Sequence, residues 1–223
     1  MTADMRLLRL LQLASPTLPV GAFAYSQGLE WAAAQDVDTE EKARQWIVGV
    51  LESALARLDA PVLSRLHAAW GRGDEEALLH WTQRLYASRE TAELRAEEGH
   101  TAGALARLLR DLGLERATPW VAHPRRTYCL LFALAGSEWG IGAEKLCCGY
   151  LWAWAENQVL AAIKTVPLGQ TAGQRILSEI ARRIPAAVET GLALADDAIG
   201  GTAPGQIMAS ALHETQTTRL FRS

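Results

Sequence analysis

The chain has 223 residues, of which 49% are hydrophobic and 21% charged, and its formal net charge is -3. This composition is typical of a globular protein with a sizeable core and excludes an extended disordered chain. The small net charge gives no indication of nucleic acid or an anionic membrane as a partner. Abundant leucine and alanine, with few β-branched residues, favour helices.

No segment has the pattern of a signal peptide or a membrane span. Residues 1–13 mix leucines with Asp4, Arg6 and Arg9, whereas a signal peptide needs an uninterrupted apolar stretch. The most apolar internal stretch, residues 146–163, is interrupted by three polar residues at 156–158. We therefore expect a cytoplasmic protein.

The three cysteines fit a reducing compartment. Their number is odd and they show no disulfide-framework spacing, so we expect them to be small packing residues. A soft-metal ligand pair at Cys147 and Cys148 is the alternative, although no nearby histidine completes a ligand set.

Apolar residues recur at spacings of three and four along almost the whole chain, which predicts helices. Asp38 is the predicted N-cap of the third helix, with Glu41 reaching back to it. The predicted helices cover residues 6–13, 22–34, 38–58, 61–71, 74–86, 89–112, 125–135, 143–166, 170–184, 185–198 and 206–215. We predict one all-α domain over residues 1–223, a bundle-like array of about ten helices without a β-sheet.

The sequence contains none of the common catalytic or metal-binding motifs. It has no phosphate-binding GxxxxGKS/T loop, no HExxH and no CxxC, so we predict neither catalytic residues nor a metal site. The five histidines are scattered, and each is predicted to face solvent or to cap a helix. An all-helical hydrolase or lyase would require a perturbed acid–base pair in a cleft, which the sequence does not show.

Charged residues cluster on the sixth predicted helix. The cluster consists of Arg89, Glu90, Glu93, Arg95, Glu97 and Glu98. Ion pairs three and four residues apart on a solvated face are the expected arrangement. A polar face that meets a partner protein is the alternative.

Three other segments indicate more than a packing role. Residues 15–30 combine two prolines and two glycines in a rigid turn that presents Tyr25 and Glu30. Residues 156–167 place polar groups in an apolar helix, where they need partners when buried, and Lys164 is the one cation in its last turns.

The third segment is the C-terminal tail, residues 213–223. It carries Leu220 and Phe221 between two arginines, a pattern suited to docking because the aromatic ring is buried while the guanidinium is paired. Docking on a partner and packing against the chain's own domain are both open.

These segments also resemble a known family. The stretches SPTLPVGAFAYSQGLE (15–30), SRETAELRAEEG (88–99), ENQVLAAIKTVPLGQTAGQ (156–174) and HETQTTRLFRS (213–223) resemble the corresponding parts of the UreF urease accessory proteins. Ala24 stands where that family often has serine, and Thr217 where it often has tyrosine.

The resemblance implies a non-enzymatic scaffold that promotes nickel insertion into apo-urease. It implies a homodimer, a complex with a UreD/UreH-type accessory protein and recruitment of the UreG-type GTPase. It also implies that nickel is handled by the complex and is not bound stably by this chain. A stand-alone nickel-binding or metal-sensing protein is the alternative.

The resemblance also suggests which residues contact partners. The tail, through His213, Arg219, Leu220, Phe221 and Arg222, is expected to order against the UreD-like partner, and segment 1–20 is expected to behave similarly. Tyr25, Glu30 and Lys164 are expected on or beneath the surface that the GTPase uses.

Overall fold

The computed structural model describes residues 1–223, and it contains helices and turns but no strand. The α-helices are α1 (Ala3–Ala14), α2 (Leu29–Gln35), α3 (Glu40–Val50), α4 (Ala60–Arg72), α5 (Glu75–Ala87), α6 (Ala92–Asp111), α7 (Tyr128–Glu138), α8 (Ala143–Thr165), α9 (Gln170–Ala193) and α10 (Pro204–His213). Three short 3₁₀ helices lie at Ala22–Ala24, Glu115–Trp120 and Asp196–Ala198. The prediction of a single all-α domain with about ten helices is confirmed.

The centre of the fold is formed by α4, α7 and α8. Helix α7 is buried on all sides from Cys129 to Gly136. It packs against α4 and α6, while α8 packs against α9, α4, α2 and α1. Because α7 has no solvated face, its sequence shows no amphipathic period. Its predicted end at Ala135 was therefore too early.

Helices α3 and α4 form one continuous rod through a π-helical segment, Leu51–Asp59. Thr39, rather than the predicted Asp38, caps this rod, because the Thr39 hydroxyl accepts a hydrogen bond from Lys42 N. Asp38 instead pairs with the Lys42 ammonium group at 3.1 Å. The predicted N-cap was therefore one residue too early, and Glu41 binds Arg44 and Gln45 instead of reaching back to the cap.

Two predicted helix boundaries were also wrong. The predicted helix 22–34 is interrupted, because Gln27 and Gly28 both have left-handed backbone conformations, with φ of 56° and 85°. A Cβ atom at Gly28 would lie 2.7 Å from Ser210 N, so glycine allows α10 to approach the start of α2. The predicted break at Pro185 is absent, since Ile184 and Val188 on either side are buried and keep α9 on the core.

Both chain ends have defined positions. Helix α1 is capped by the Thr2 hydroxyl and exposes Met5, Leu7, Leu8 and Leu11. The tail after α10 returns over α2 and the end of α8, which is the self-packed alternative that the sequence left open. None of the helices is both long enough and apolar enough to cross a membrane.

Candidate functional site

The tail docks on a surface that we call the tail shelf, formed by Ala24, Ser26, Glu30, Glu93 and Lys164. Its contacts connect α2 and α6 with tail residues more than a hundred positions away in sequence, and α8 with Phe221. Tyr25, Glu30, Lys164 and the tail residues predicted to contact partners lie on this shelf, beneath it or in the tail that covers it. Segment 1–20, also expected to order against a partner, instead forms α1, which packs against α8.

Glu30 forms the centre of the shelf. Its Oε1 accepts a hydrogen bond from Leu220 N at 2.6 Å, and its Oε2 accepts one from Phe221 N at 2.9 Å. Its Oε2 also lies 3.1 Å from Nε2 of His213. One carboxylate therefore fixes the tail backbone and the end of α10 together.

Glu93 faces the other side of the same histidine. Its Oε2 lies 2.8 Å from Nδ1 of His213, and its Oε1 accepts a 2.8 Å hydrogen bond from Arg219. Sequence reasoning placed Glu93 on a solvated face, yet its side chain is only 11% exposed. His213, predicted to face solvent or to cap a helix, is fully buried.

The tail divides its side chains between the core and solvent. Phe221 is buried at 6% exposure, and the Lys164 ammonium group lies 5.5 Å from the centre of its ring. Leu220 remains 63% exposed beside the polar shelf. Arg222 donates its backbone N–H to Ala24 O at 2.8 Å, while its side chain is exposed. Of the two apolar tail side chains, only that of Phe221 is buried by docking, whereas Leu220 docks through its backbone N–H.

Tyr25 lies beneath the shelf rather than on it. Its side chain is buried, and its hydroxyl lies 2.9 Å from Nδ1 of His100. Its backbone oxygen accepts a 3.0 Å hydrogen bond from Asn157, one of the polar residues of α8 that needed a partner. The next residue, Ser26, binds Ser223 O through its backbone N–H at 2.6 Å and through its hydroxyl.

A second polar cluster lies deeper, around Arg89. The guanidinium donates to Asp59 Oδ1 at 2.5 Å and to Glu98 Oε2 at 2.7 Å. Tyr150 adds a 3.0 Å hydrogen bond to Asp59. The Asp59 and Glu98 side chains are 3% and 6% exposed, so the prediction of solvated ion pairs was wrong here as well.

A cavity separates this cluster from the base of the shelf. It is lined by Gln27, Asp59, Glu97 and Trp154, among others. Glu97 Oε1 accepts a 2.9 Å hydrogen bond from Gln27, but its buried Oε2 has no partner. Burial raises the pKa of Glu97 to about 7, against the lowering effect of the Gln27 hydrogen bond. Ser223 lies beside this carboxyl, and its own hydroxyl is also buried without a partner.

Sequence reasoning missed Asp59, and it placed Arg89, Glu93, Glu97 and Glu98 in a charge cluster on a solvated face or on a face that meets a partner, without identifying their buried contacts. One signal was available, because Asp59 falls on the apolar face of its helix, four residues after Leu55 and three before Val62. A carboxylate at such a position requires a partner. No comparable signal distinguishes Glu93 from Glu90, because both lie in the same run of charges.

The cysteines are packing residues. Burial raises the pKa of the Cys129 thiol well above its ordinary value and that of Cys147 to about 12. Both thiols therefore stay protonated near neutral pH. The structure contains no group of three or more His, Cys, Asp or Glu side chains placed to hold a metal ion.

The fold and the site together define an all-helical protein with a shelf that receives a peptide segment, here its own tail. Residues 37–181 match the family model UreF. The urease accessory protein UreF of Alkalilimnicola ehrlichii is 54% identical over 216 residues, which cover 96% of this chain and 95% of that protein. UreF of Pseudomonas putida strain KT2440 is 47% identical over 224 residues and the full length of both chains. This chain belongs to the UreF family of urease accessory proteins.

Proposed function

We propose that this chain is a non-catalytic scaffold in urease maturation, and that the tail shelf with its docked tail is the surface through which it assembles with partners. The observation that supports this most strongly is the convergence of Tyr25, Glu30, Lys164 and the tail on one side of the molecule. Sequence similarity to UreF proteins singled out the same residues without any knowledge of their positions.

The proposed partners are a UreD/UreH-type accessory protein, a UreG-type GTPase and apo-urease, in the cytoplasm. Nickel is the cargo of this assembly and is not a resident cofactor of the chain. The exposed side chain of Leu220, and that of Phe23 at 62% exposure, provide apolar contacts near a shelf rich in charge. Interfaces commonly combine an apolar centre with such a polar rim.

The proposed scaffold is a homodimer. Helix α1 supports this, because Leu7, Leu8 and Leu11 are each more than 50% exposed on one short helix. Monomeric proteins seldom leave a contiguous apolar face of this kind open to water. Sedimentation of the wild type and of Leu8→Glu tests the interface, and an unchanged dimer in the variant would exclude α1 from it.

Co-purification with the UreD-type and UreG-type proteins, with and without GTP, tests the proposed function directly. We expect a three-part complex that activates apo-urease when nickel is added. A chain ending at His213 is expected to lose the complex with the UreD-type protein. Equal recovery of that complex would refute the role of the tail.

The contribution of Lys164 is tested separately. We expect Lys164→Ala to lower urease activation while the fold survives, as judged by circular dichroism. Lys145→Ala is the matched control, since Lys145 is an exposed lysine on the same helix, α8, away from the tail. Equal urease activation by the two variants would show that Lys164 does not contact a partner.

A further inference from the structure

Three arginines form a positively charged patch at the point where the loop before α7 meets α6. Arg125 and Arg126 lie in this loop and Arg107 lies on α6, and we call these three residues the arginine patch. None of the three forms an ion pair, and the guanidinium of Arg126 donates to backbone oxygens alone. By contrast, Arg110 on the same helix pairs with Asp111 at 2.8 Å. The arginine patch therefore carries positive charges that the chain itself leaves unpaired.

The guanidinium of Arg126 is held in place on α6. Its Nε donates to Gly99 O and its Nη1 to His123 O, each at 3.0 Å, which leaves Nη2 without a partner in the chain. A Cβ atom at Gly103 would lie 2.6 Å from Nη2, so the guanidinium can occupy this place only beside a glycine. A donor fixed in this way loses little freedom when it binds a carboxylate.

The charges of the patch act on one another. Burial and the charge of Arg107 lower the pKa of Arg126. Burial and the charges of Arg126 and Arg125 lower the pKa of His123, which lies beside the patch. These side chains are therefore close enough to repel one another when charged, and no carboxylate offsets the repulsion. A carboxylate from another molecule would relieve it, because it can bind a guanidinium through two hydrogen bonds.

An apolar pocket adjoins the patch through His123. Its walls include the rings of Trp70 and Trp120, which meet edge to face at 6.3 Å, and the His123 ring lies 4.7 Å from that of Trp120. Leu79 also lines the pocket and is 41% exposed. Glu75 is the one carboxylate in the lining. The pocket can therefore receive an apolar side chain directly beside the positively charged patch.

We propose that the arginine patch and the adjoining pocket bind an acidic segment of a partner protein, whose carboxylates pair with the arginines and whose apolar side chain enters the pocket. A protein segment fits better than a nucleic acid, because the chain as a whole has a net charge of -3 and its long-range field does not attract a polyanion. A buried anchor beside polar contacts is also a common arrangement in protein interfaces. This surface shares no residue with the tail shelf, so the proposal does not depend on the function proposed above.

Fluorescence anisotropy with the full-length chain tests the proposal. The probe is a labelled oligoglutamate peptide that ends in phenylalanine, and the control peptide has glutamine in place of each glutamate. At low ionic strength we expect the glutamate peptide to bind at least about tenfold more tightly than the control, the equivalent of one charge-assisted hydrogen bond. Equal affinity of the two peptides would overturn the proposal, and so would tighter binding of a single-stranded oligonucleotide than of the glutamate peptide.

A first pair of variants tests the charge of the patch. Arg126→Gln should weaken binding of the glutamate peptide by about tenfold, since it removes the fixed guanidinium. Arg182→Gln, which removes an exposed arginine of α9, is the matched control and should leave the affinity unchanged. Equal affinities of these two variants would show that the peptide binds elsewhere or through charge in general.

A second pair tests the position of the guanidinium without changing any charge. Gly103→Ala should displace the Arg126 side chain and weaken peptide binding, whereas Gly99→Ala should not, because a Cβ atom there meets nothing within 4 Å. Both substitutions favour helix formation, so a loss of binding confined to Gly103→Ala does not come from an unfolded α6. Wild-type affinity in Gly103→Ala would overturn the proposed site.

Discussion

Helix α6 contributes carboxylates to two polar clusters that differ in depth. Glu98 pairs with Arg89, which also binds Asp59, in the interior, where the two carboxylate side chains are no more than 6% exposed. Glu93, five residues earlier, pairs with His213 and Arg219 at the tail, where the arginine side chain is 34% exposed. The same type of residue on one helix thus serves a contact in the interior and a contact with the chain end.

The difference follows from what each cluster would leave behind on opening. Breaking the Arg89 cluster would strand charges in the interior, which is costly because water cannot replace the lost partner. At the tail, Glu93 binds Arg219, whose side chain is 34% exposed, so water can take the place of this partner when the contact opens. The exposure of the arginine, 17% for Arg89 against 34% for Arg219, therefore separates the interior cluster from the one at the tail.

The largest expected effect is that of Arg89→Met. This change leaves Asp59 and Glu98 buried without their cation, and we expect a loss of about 3–5 kcal/mol in the free energy of unfolding. Chemical denaturation measures it. Arg107→Ala, at an exposed position on α6, is the control and should change stability by less than about 0.5 kcal/mol. Equal stability of the two variants would remove the distinction between interior and surface charge.

Glu97 lies between the two clusters and provides a test by pH. Since its pKa is raised from 4.5 to about 7, the folded protein binds this proton more tightly than the unfolded chain does. The free energy of unfolding should therefore fall as the pH rises from 4.5 to 7. Above that range the ionisation of Glu97 should cause no further loss.

Glu97→Gln should remove that part of the pH dependence and keep the Gln27 hydrogen bond through its amide oxygen. At pH 8 we expect the variant to be more stable than the wild type, by on the order of 1–3 kcal/mol. Thermal unfolding at several pH values measures the difference. If the stabilities of the two proteins change with pH in parallel, the ionisation of Glu97 does not destabilise the fold.

Phe221→Ala should affect docking far more than global stability. Removing a ring that is 94% buried but lies at the chain end should undock the tail and lower the free energy of unfolding by only about 1 kcal/mol or less, since little else depends on it. Proteolysis after Arg219 reports tail release. Leu220→Ala, at an exposed position, is the matched control, and equally fast cleavage in both variants would contradict the assigned roles.

The smallest expected effect is that of Lys164→Ala on docking. The ammonium group and the Phe221 ring are 5.5 Å apart, and such a pair at an exposed site contributes about 0.5–1 kcal/mol. Tail docking, measured by the nuclear magnetic resonance signals of the Phe221 ring, should weaken by about twofold, the equivalent of the lower figure. Lys145→Ala should leave it unchanged. A wild-type docking constant in Lys164→Ala would assign Lys164 to partner contacts alone.

The sequence by itself determined the fold class, most helices and the chain's resemblance to UreF proteins. Periodic apolar residues predict a helix wherever one face meets water, as in α4 and α9. The pattern was least informative for α7, which is buried on every side. The turn signals at residues 15–30 were correct in kind, but the left-handed pair Gln27 and Gly28 was not foreseen.

Only the tertiary structure decided which charges are buried and what they face. Glu90 remains exposed while Glu93 and Glu98 do not, and no local pattern separates the three. The partners of Glu93, His213 and Arg219, lie on α10 and in the tail, and Arg89, the partner of Glu98, is held by Asp59 from the π-helical segment. Local sequence fixes helix formation because the backbone hydrogen bonds of a helix join near neighbours. Whether a carboxylate is solvated, paired or protonated depends on what packs over it, and here that cover comes from distant parts of the chain.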